Sequence, residues 1–143
     1  MQYVSRRIEP VLRAAARDFP AVILTGPRRS GKTTVLRRVF PRASYVLLED
    51  PDVLSRVQAD PRGFLEGLRL PVILDEIQNA PELLGFVRTL VDASPRGKGK
   101  WLPTGSQVWT VAWLQGGVAQ VQKALLASLV AEKWLIPSED TTR

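Results

Sequence analysis

The sequence predicts an α/β fold in which a mainly parallel sheet carries helices on both faces. Two runs, AVIL at residues 21–24 and PVIL at residues 71–74, are uniformly apolar, as strands covered on both faces are. Segments with helical spacing of apolar residues alternate with these runs, which is typical of βαβ units. Of the 143 residues, 45% are hydrophobic and 24% are charged, which suits one globular domain.

The first half of the chain predicts alternating helices and strands. Residues 7–19 repeat apolar side chains at helical spacing, and Pro20 ends that helix. A strand at 21–25 runs into a glycine-rich loop, after which residues 32–40 form a helix that Pro41 stops. Residues 44–50 predict a second strand, limited by the proline of DPD.

The following segments predict two short helices at 52–59 and 63–70 and a third buried strand at 70–76. Residues 79–94 begin with Asn-Ala-Pro and repeat apolar residues at helical spacing, which predicts a longer helix. Residues 1–107 are expected to form the core. Residues 108–143 are expected to form a divergent segment of the same domain, with one amphipathic helix over 118–135.

Composition limits the chemistry and the partners. With no cysteine and no histidine, a disulfide and a thiolate metal site are excluded, and a general base must be a carboxylate or lysine. Residues 1–44 carry ten Lys or Arg against two acids, and residues 45–143 carry ten against twelve, so the basic excess is N-terminal. That excess indicates either nucleic-acid contact or solvated helix faces, and the second is commoner. The first ten residues lack an apolar signal region and ALLASLVA is too short to span a bilayer, so a cytoplasmic protein without a membrane partner is expected.

The stretch TGPRRSGKTTV at residues 25–35 contains the pattern G-x-x-x-x-G-K-[ST] between a predicted strand and a predicted helix. Its glycines allow a tight turn whose N–H groups surround phosphates, and its lysine reaches the β- and γ-phosphates. The residues predicted to bind ATP are Gly26, Pro27, Arg28, Arg29, Ser30, Gly31, Lys32, Thr33 and Thr34. Thr33 is also predicted to supply a hydroxyl to Mg²⁺. A glycine turn that caps a basic helix is the alternative.

The third predicted strand delivers two adjacent carboxylates to the carboxyl edge of the sheet, where ligands of open α/β sheets bind. Asp75 is predicted to hold Mg²⁺, directly or through water. Glu76 is predicted to orient and deprotonate the attacking water. Acids are also common at ordinary strand ends, so the prediction depends on the phosphate loop.

The motifs LTGPRRSGKTT, YVLLEDP, DPRGFL, VILDEIQNAPELL and TGSQ, in this order, resemble those of prokaryotic AAA-type ATPases whose P-loop domain precedes a second domain. The resemblance covers roughly residues 5–107 and implies a three-layer P-loop NTPase-like sandwich, with Walker A at 26–33 and Walker B at 72–76. It also implies a polar sensor in TGSQ, with Ser106 the first choice and Thr104 the second. Gln78 is expected either near the γ-phosphate or as a solvated or capping residue.

The chain departs from that family in three ways. Pro103 stands inside the strand that leads to TGSQ, no arginine lies between Arg96 and Arg143, and the chain is expected to lack the second domain. These features favour the hypothesis of a truncated or frame-altered copy whose sheet is incomplete at the C-terminus.

Three functions stay open from the sequence. The favoured one is an Mg-ATP-binding domain that hydrolyses ATP weakly. An arginine finger supplies much of the rate in such enzymes, and this chain has no arginine between the sensor and Arg143. The second is a non-hydrolysing interaction module. A small-molecule kinase is disfavoured because Asp75 and Glu76 suit water activation and no arginine-rich lid follows the sensor. The sequence identifies neither a protein partner nor an oligomeric state.

Overall fold

The computed structural model describes residues 5–106 and the backbone of residues 126–130. The described α-helices are α1 (Glu9–Asp18), α2 (Lys32–Val39), α3 (Pro51–Ala59), α4 (Pro61–Glu66) and α5 (Leu83–Ala93), with a short 3-10 helix at Ile77–Asn79. The described strands are β1 (Ala21–Thr25), β2 (Ser44–Leu47), β3 (Val72–Asp75), β4 (Trp101–Gly105) and β5 (Leu126–Val130). None of the helices in these residues is long and apolar enough to cross a membrane.

The five strands form one sheet in the order β2-β3-β4-β1-β5, and every described pair is parallel. The carboxyl ends of β1, β3 and β4 therefore meet at one edge of the sheet. Because β4 lies between β1 and β3, the residues that follow β4 stand between those that follow the other two strands. The predicted α/β architecture with a mainly parallel sheet is confirmed.

Apolar side chains of successive strand residues enter two separate cores, one on each face of the sheet. Ala21 and Ile23 pack with α3, α4 and α5. Val22 and Leu24 pack with α1 and α2 on the other face. This alternation explains why β1 is apolar throughout, since both faces of the strand are covered. The result is the three-layer sandwich that the sequence predicts.

Two aspartates set the starts of the short helices. Asp50 accepts a hydrogen bond from the backbone N–H of Asp52 at 2.9 Å, and α3 begins at the intervening proline. Asp60 accepts one from the N–H of Gly63 at 3.0 Å. As a result α4 runs from Pro61 to Glu66, earlier than the predicted range 63–70. Helix α5 begins at Leu83, later than the predicted start at residue 79, and residues Ile77–Asn79 form the 3-10 helix instead.

The predicted helix over 118–135 is wrong where the structure describes that segment. Residues 126–130 form β5, which pairs in parallel with all five residues of β1 from Ala21 to Thr25. A short apolar run cannot be assigned to helix or strand from periodicity alone. Here the outer edge of β1 offers backbone donors and acceptors that a strand satisfies and a helix does not. The remainder of 107–143 lies outside the described residues.

Pro103 is accommodated inside β4 although β4 has strands on both sides. On the β3 side, Leu102 and Pro103 are in register with Ile73 and Leu74. On the β1 side, the paired residues are Trp101, Thr104 and Gly105, so the ladder is interrupted at positions 102 and 103. Because proline has no N–H to donate, the interruption faces β1, and the pairing resumes at Thr104.

Candidate nucleotide-binding site

The phosphate loop connects β1 to α2 at the carboxyl edge of the sheet. Gly26 continues the strand, donating its N–H to the carbonyl of Gly105 at 3.1 Å. Gly31 is the N-cap of α2 and has φ of 83°, a left-handed conformation that glycine adopts without a steric cost. The first turn of α2 then presents N–H groups that have no partner within the helix, which favours an anion. The guanidinium of Arg6 lies near this turn, 3.9 Å from the point where a Cβ on Gly31 would stand.

Lys32 is held across the loop by the loop's own oxygen atoms. Its ammonium donates to the carbonyls of Gly26 at 3.0 Å and Pro27 at 2.6 Å, and to the hydroxyl of Ser30 at 3.3 Å. The residue is only 4% exposed. Burial lowers the pKa of Lys32 below its ordinary value, while the carboxylates of Glu76 and Asp75 oppose that shift.

Asp75 is the centre of a hydroxyl cluster that joins three strands and a helix. Its carboxylate accepts from Thr33 Oγ1 at 2.9 and 3.0 Å, from Thr104 Oγ1 at 2.5 Å and from Tyr45 Oη at 2.6 Å. Asp75 is 5% exposed, and Thr104 is fully buried. The structure therefore brings together Thr33 and Asp75, the two residues predicted to hold Mg²⁺.

Glu76 follows the strand in a left-handed backbone conformation, with φ of 61° and ψ of 52°. Such a conformation is costly for a residue other than glycine, and residues held in it cluster at functional sites. Its backbone N–H donates to Thr104 Oγ1 at 3.0 Å. Thr104, the second choice for the sensor, thus bridges both acids of the predicted Walker B motif.

Ser106 and Gln78 contact the Glu76 side chain rather than its backbone. Ser106 Oγ donates to Glu76 Oε2 at 2.8 Å and accepts from Gln78 Nε2 at 2.8 Å. Gln78 Nε2 also donates to the same Glu76 oxygen. Ser106, the first choice for the sensor, and Gln78 therefore both lie at the predicted base, although their roles stay a prediction.

The remaining loop residues lie toward the surface. Arg28 is exposed and pairs with Glu49 at 2.5 Å. Arg29 is exposed and has φ of 59°, and Thr34 is exposed in the first turn of α2. These three residues stay predictions as nucleotide ligands.

Sequence reasoning missed Tyr45 as a site residue. The residue lies in β2, a strand that contains none of the predicted ligands, and its contact with Asp75 joins residues 30 positions apart. An available signal was the motif YVLLEDP, in which a tyrosine precedes apolar strand residues. Recognising its contact still required the register of β2 against β3.

The donor set at Thr33 and Asp75 fits Mg²⁺. Both side chains offer only oxygen, and Mg²⁺ is commonly bound through one or two protein oxygens together with phosphate oxygens and water. Within the described residues, no group of three or more carboxylates forms a separate metal cage.

Comparison with protein families gives a match that includes the phosphate loop and the predicted Walker B residues. A family model described as "AAA domain" matches residues 18–113. Uncharacterized protein Rv2008c of Mycobacterium tuberculosis and Uncharacterized protein Mb2031c of Mycobacterium bovis are each 42% identical to the chain over 83 residues. The matched region is 57% of this chain and 19% of each relative, so the chain spans only about a fifth of those proteins.

Solved structures with a similar fold include two of the Aeropyrum pernix ORC2 protein. The form described as ADPNP-ADP complexes gives a TM-score of 0.56 at 17% identity, covering 86% of this chain and 46% of that chain. The ADP form gives 0.57 at 15% identity, covering 92% and 50%. At this identity the similarity shows a common fold.

Proposed function

Because the chain belongs to the AAA domain family, we propose that it is an Mg-ATP-binding domain that hydrolyses ATP slowly, with Glu76 as the base. The observation that carries this proposal is the contact between Thr33 and Asp75. These residues are 42 positions apart, and their hydroxyl and carboxylate meet at 2.9 Å beside the buried ammonium of Lys32. A hydroxyl, a carboxylate and a cation so arranged suit a metal-bound triphosphate.

Each residue has a separate task in this proposal. Lys32 and the N–H groups that begin α2 bind the β- and γ-phosphates. Thr33 and Asp75 hold Mg²⁺, which when bound neutralises charge on the phosphate oxygens. Glu76 accepts a proton from the water that attacks the γ-phosphate, while Thr104 orients the backbone of Glu76 and Ser106 orients its side chain.

Slow turnover follows from the positions of the arginines. Arg28 is paired with Glu49, and Arg88 lies on α5 beside Asp92 at 3.8 Å. No arginine lies between Arg96 and Arg143. An arginine finger is worth about 10³–10⁵ in rate. The chain by itself is therefore expected to bind ATP well and to release phosphate slowly, with little dependence on protein concentration.

The test compares Glu76→Gln with the parent in two assays. The variant is expected to bind a fluorescent ATP analogue with Mg²⁺ as the parent does, because the amide keeps the shape of the side chain. Its phosphate release should fall by about 100-fold or more, the usual contribution of a general base. Glu66→Gln is the matched control, since Glu66 is an exposed acid that pairs with Arg62 at 2.9 Å on α4. Equal phosphate release by Glu76→Gln and the parent would exclude Glu76 as the base.

A dilution series tests whether turnover is independent of protein concentration. Phosphate release per protein molecule should be constant as the protein is diluted. Turnover that rises steeply with concentration would instead indicate a site completed by a neighbouring copy, and loss of that turnover in Arg29→Ala or Arg88→Ala would identify the contributing arginine.

One observation favours a second candidate, a nucleotide-binding module that does not hydrolyse ATP. Glu76 Oε2 accepts from Ser106 and Gln78 in the same arrangement. If those contacts persist when ATP is bound, Glu76 Oε2 is not available to the attacking water. Nucleotide binding by the parent without phosphate release above the level of Glu76→Gln would select this candidate.

A further inference from the structure

Tyr45 reaches Asp75 because of the register between the two strands that carry them. Tyr45 of β2 is the partner of Ile73 in β3, and paired residues of adjacent strands share a face of the sheet. Asp75 lies two residues beyond Ile73 and so returns to that same face. The phenol Oη accordingly donates to Asp75 Oδ2 at 2.6 Å.

The ring of Tyr45 also contacts α2, through the side chain of Arg37. The guanidinium carbon of Arg37 lies 5.0 Å from the ring centroid, a distance at which a cation is attracted to an aromatic face. Burial, followed by the hydrogen bond to Asp75, raises the pKa of the Tyr45 phenol. An ordinary phenol already keeps its proton at neutral pH, so the Tyr45 hydroxyl is the donor in its contact with Asp75.

The donors around Asp75 divide between its two oxygens. Thr104 donates to Oδ1, Tyr45 donates to Oδ2, and Thr33 contacts both. Thr33 is itself one of the two residues proposed to hold Mg²⁺. The orientation of the carboxylate therefore depends on Thr104 from one side and on Tyr45 from the other. Removal of the phenol hydroxyl would leave Oδ2 with Thr33 as its donor among the described residues.

We propose that Tyr45 is a positioning residue of the metal site, whose hydroxyl fixes the Asp75 carboxylate in the orientation that serves Mg²⁺. This inference rests on the proposed function. Partners of metal-ligating groups in other proteins contribute about 10- to 100-fold to metal affinity. Because Tyr45 is 37% exposed and is one of three donors, the lower end of that range applies.

The test separates metal dependence from nucleotide affinity. Tyr45→Phe keeps the ring over which Arg37 lies and removes only the hydroxyl. A fluorescent ATP analogue is titrated in EDTA and then at increasing Mg²⁺. We expect the Mg²⁺ concentration for the half-maximal change in affinity to rise about tenfold in Tyr45→Phe, while the affinity in EDTA changes by less than about twofold. A general structural defect would weaken binding in both conditions, and thermal unfolding of the variant checks the fold.

Arg37→Gln is the control, because it removes the cation over the ring and leaves the phenol in place. Its Mg²⁺ dependence should match the parent, and a loss equal to that of Tyr45→Phe would assign the effect to ring packing and overturn the proposal. An unchanged Mg²⁺ dependence in Tyr45→Phe would overturn the role of Tyr45 while the proposed function stands. Absence of Mg²⁺-dependent binding in the parent would overturn both.

Discussion

Thr104→Val tests whether the buried hydroxyl between the two acids organises the site. Thr104 is fully buried, donates to Asp75 Oδ1 and accepts from the N–H of Glu76. Valine has nearly the same shape and can do neither. The variant therefore removes one hydrogen bond to a carboxylate and leaves the half-buried backbone N–H of Glu76 without its acceptor.

The expected loss of stability follows from those two contacts. A hydrogen bond to a charged group contributes about 1.5–3 kcal/mol, and an unsatisfied buried N–H costs about 1–3 kcal/mol. The two effects overlap because they share one hydroxyl, and the added methyl group regains about 0.8 kcal/mol. The free energy of unfolding should fall by about 2–4 kcal/mol. For a chain of this size, that corresponds to a decrease in Tm of about 6–12 °C.

Thermal unfolding without nucleotide or metal measures this loss directly. Thr89→Val is the matched control, because Thr89 is exposed on α5 and its hydroxyl donates only to the Gly85 carbonyl of the same helix, at 3.2 Å. Its Tm should change little, since exposed substitutions usually alter stability by less than about 0.5 kcal/mol. If Thr104→Val melted within about 2 °C of the parent, the hydroxyl would not have the structural role inferred for it.

Three further substitutions have defined outcomes. Lys32→Ala should abolish detectable binding of an ATP analogue, because the ammonium is the charge that the loop directs at the phosphates. Lys100→Ala is the control, since Lys100 is exposed, and it should bind the analogue normally. Near-normal affinity in Lys32→Ala would exclude the site assignment. Gly99→Ala should lower the Tm, because Gly99 has φ of 60° and an added Cβ would lie 2.8 Å from the Ala16 carbonyl oxygen. Gly85→Ala should stabilise the protein by about 0.5–1 kcal/mol, since Gly85 lies inside α5 and an added Cβ would meet no atom within 4 Å beyond the backbone of its own helix. An equal Tm for the two alanine variants would contradict the steric argument.

The local features of the fold could be predicted from the sequence because their causes are local. A strand covered on both faces needs a continuous apolar run, and the turn that begins α2 needs a glycine at position 31. The positions of Lys32 and Asp75 follow from the same reasoning, since each stands directly beside a predicted strand or helix boundary. The three-layer arrangement follows from alternating strands and helices.

Other features depended on contacts between residues far apart in the chain. The segment at 126–130 is a strand because β1 has an edge to pair, and its apolar pattern alone suited a helix. Thr104 and Ser106 are two residues apart, yet one contacts the backbone and the other the side chain of Glu76, because β4 ends at Gly105 and Ser106 no longer follows the direction of the strand. Tyr45 meets Asp75 across 30 residues only through the register of β2 on β3. Sequence periodicity reports which face a side chain occupies, whereas sheet order and register decide which side chains meet there.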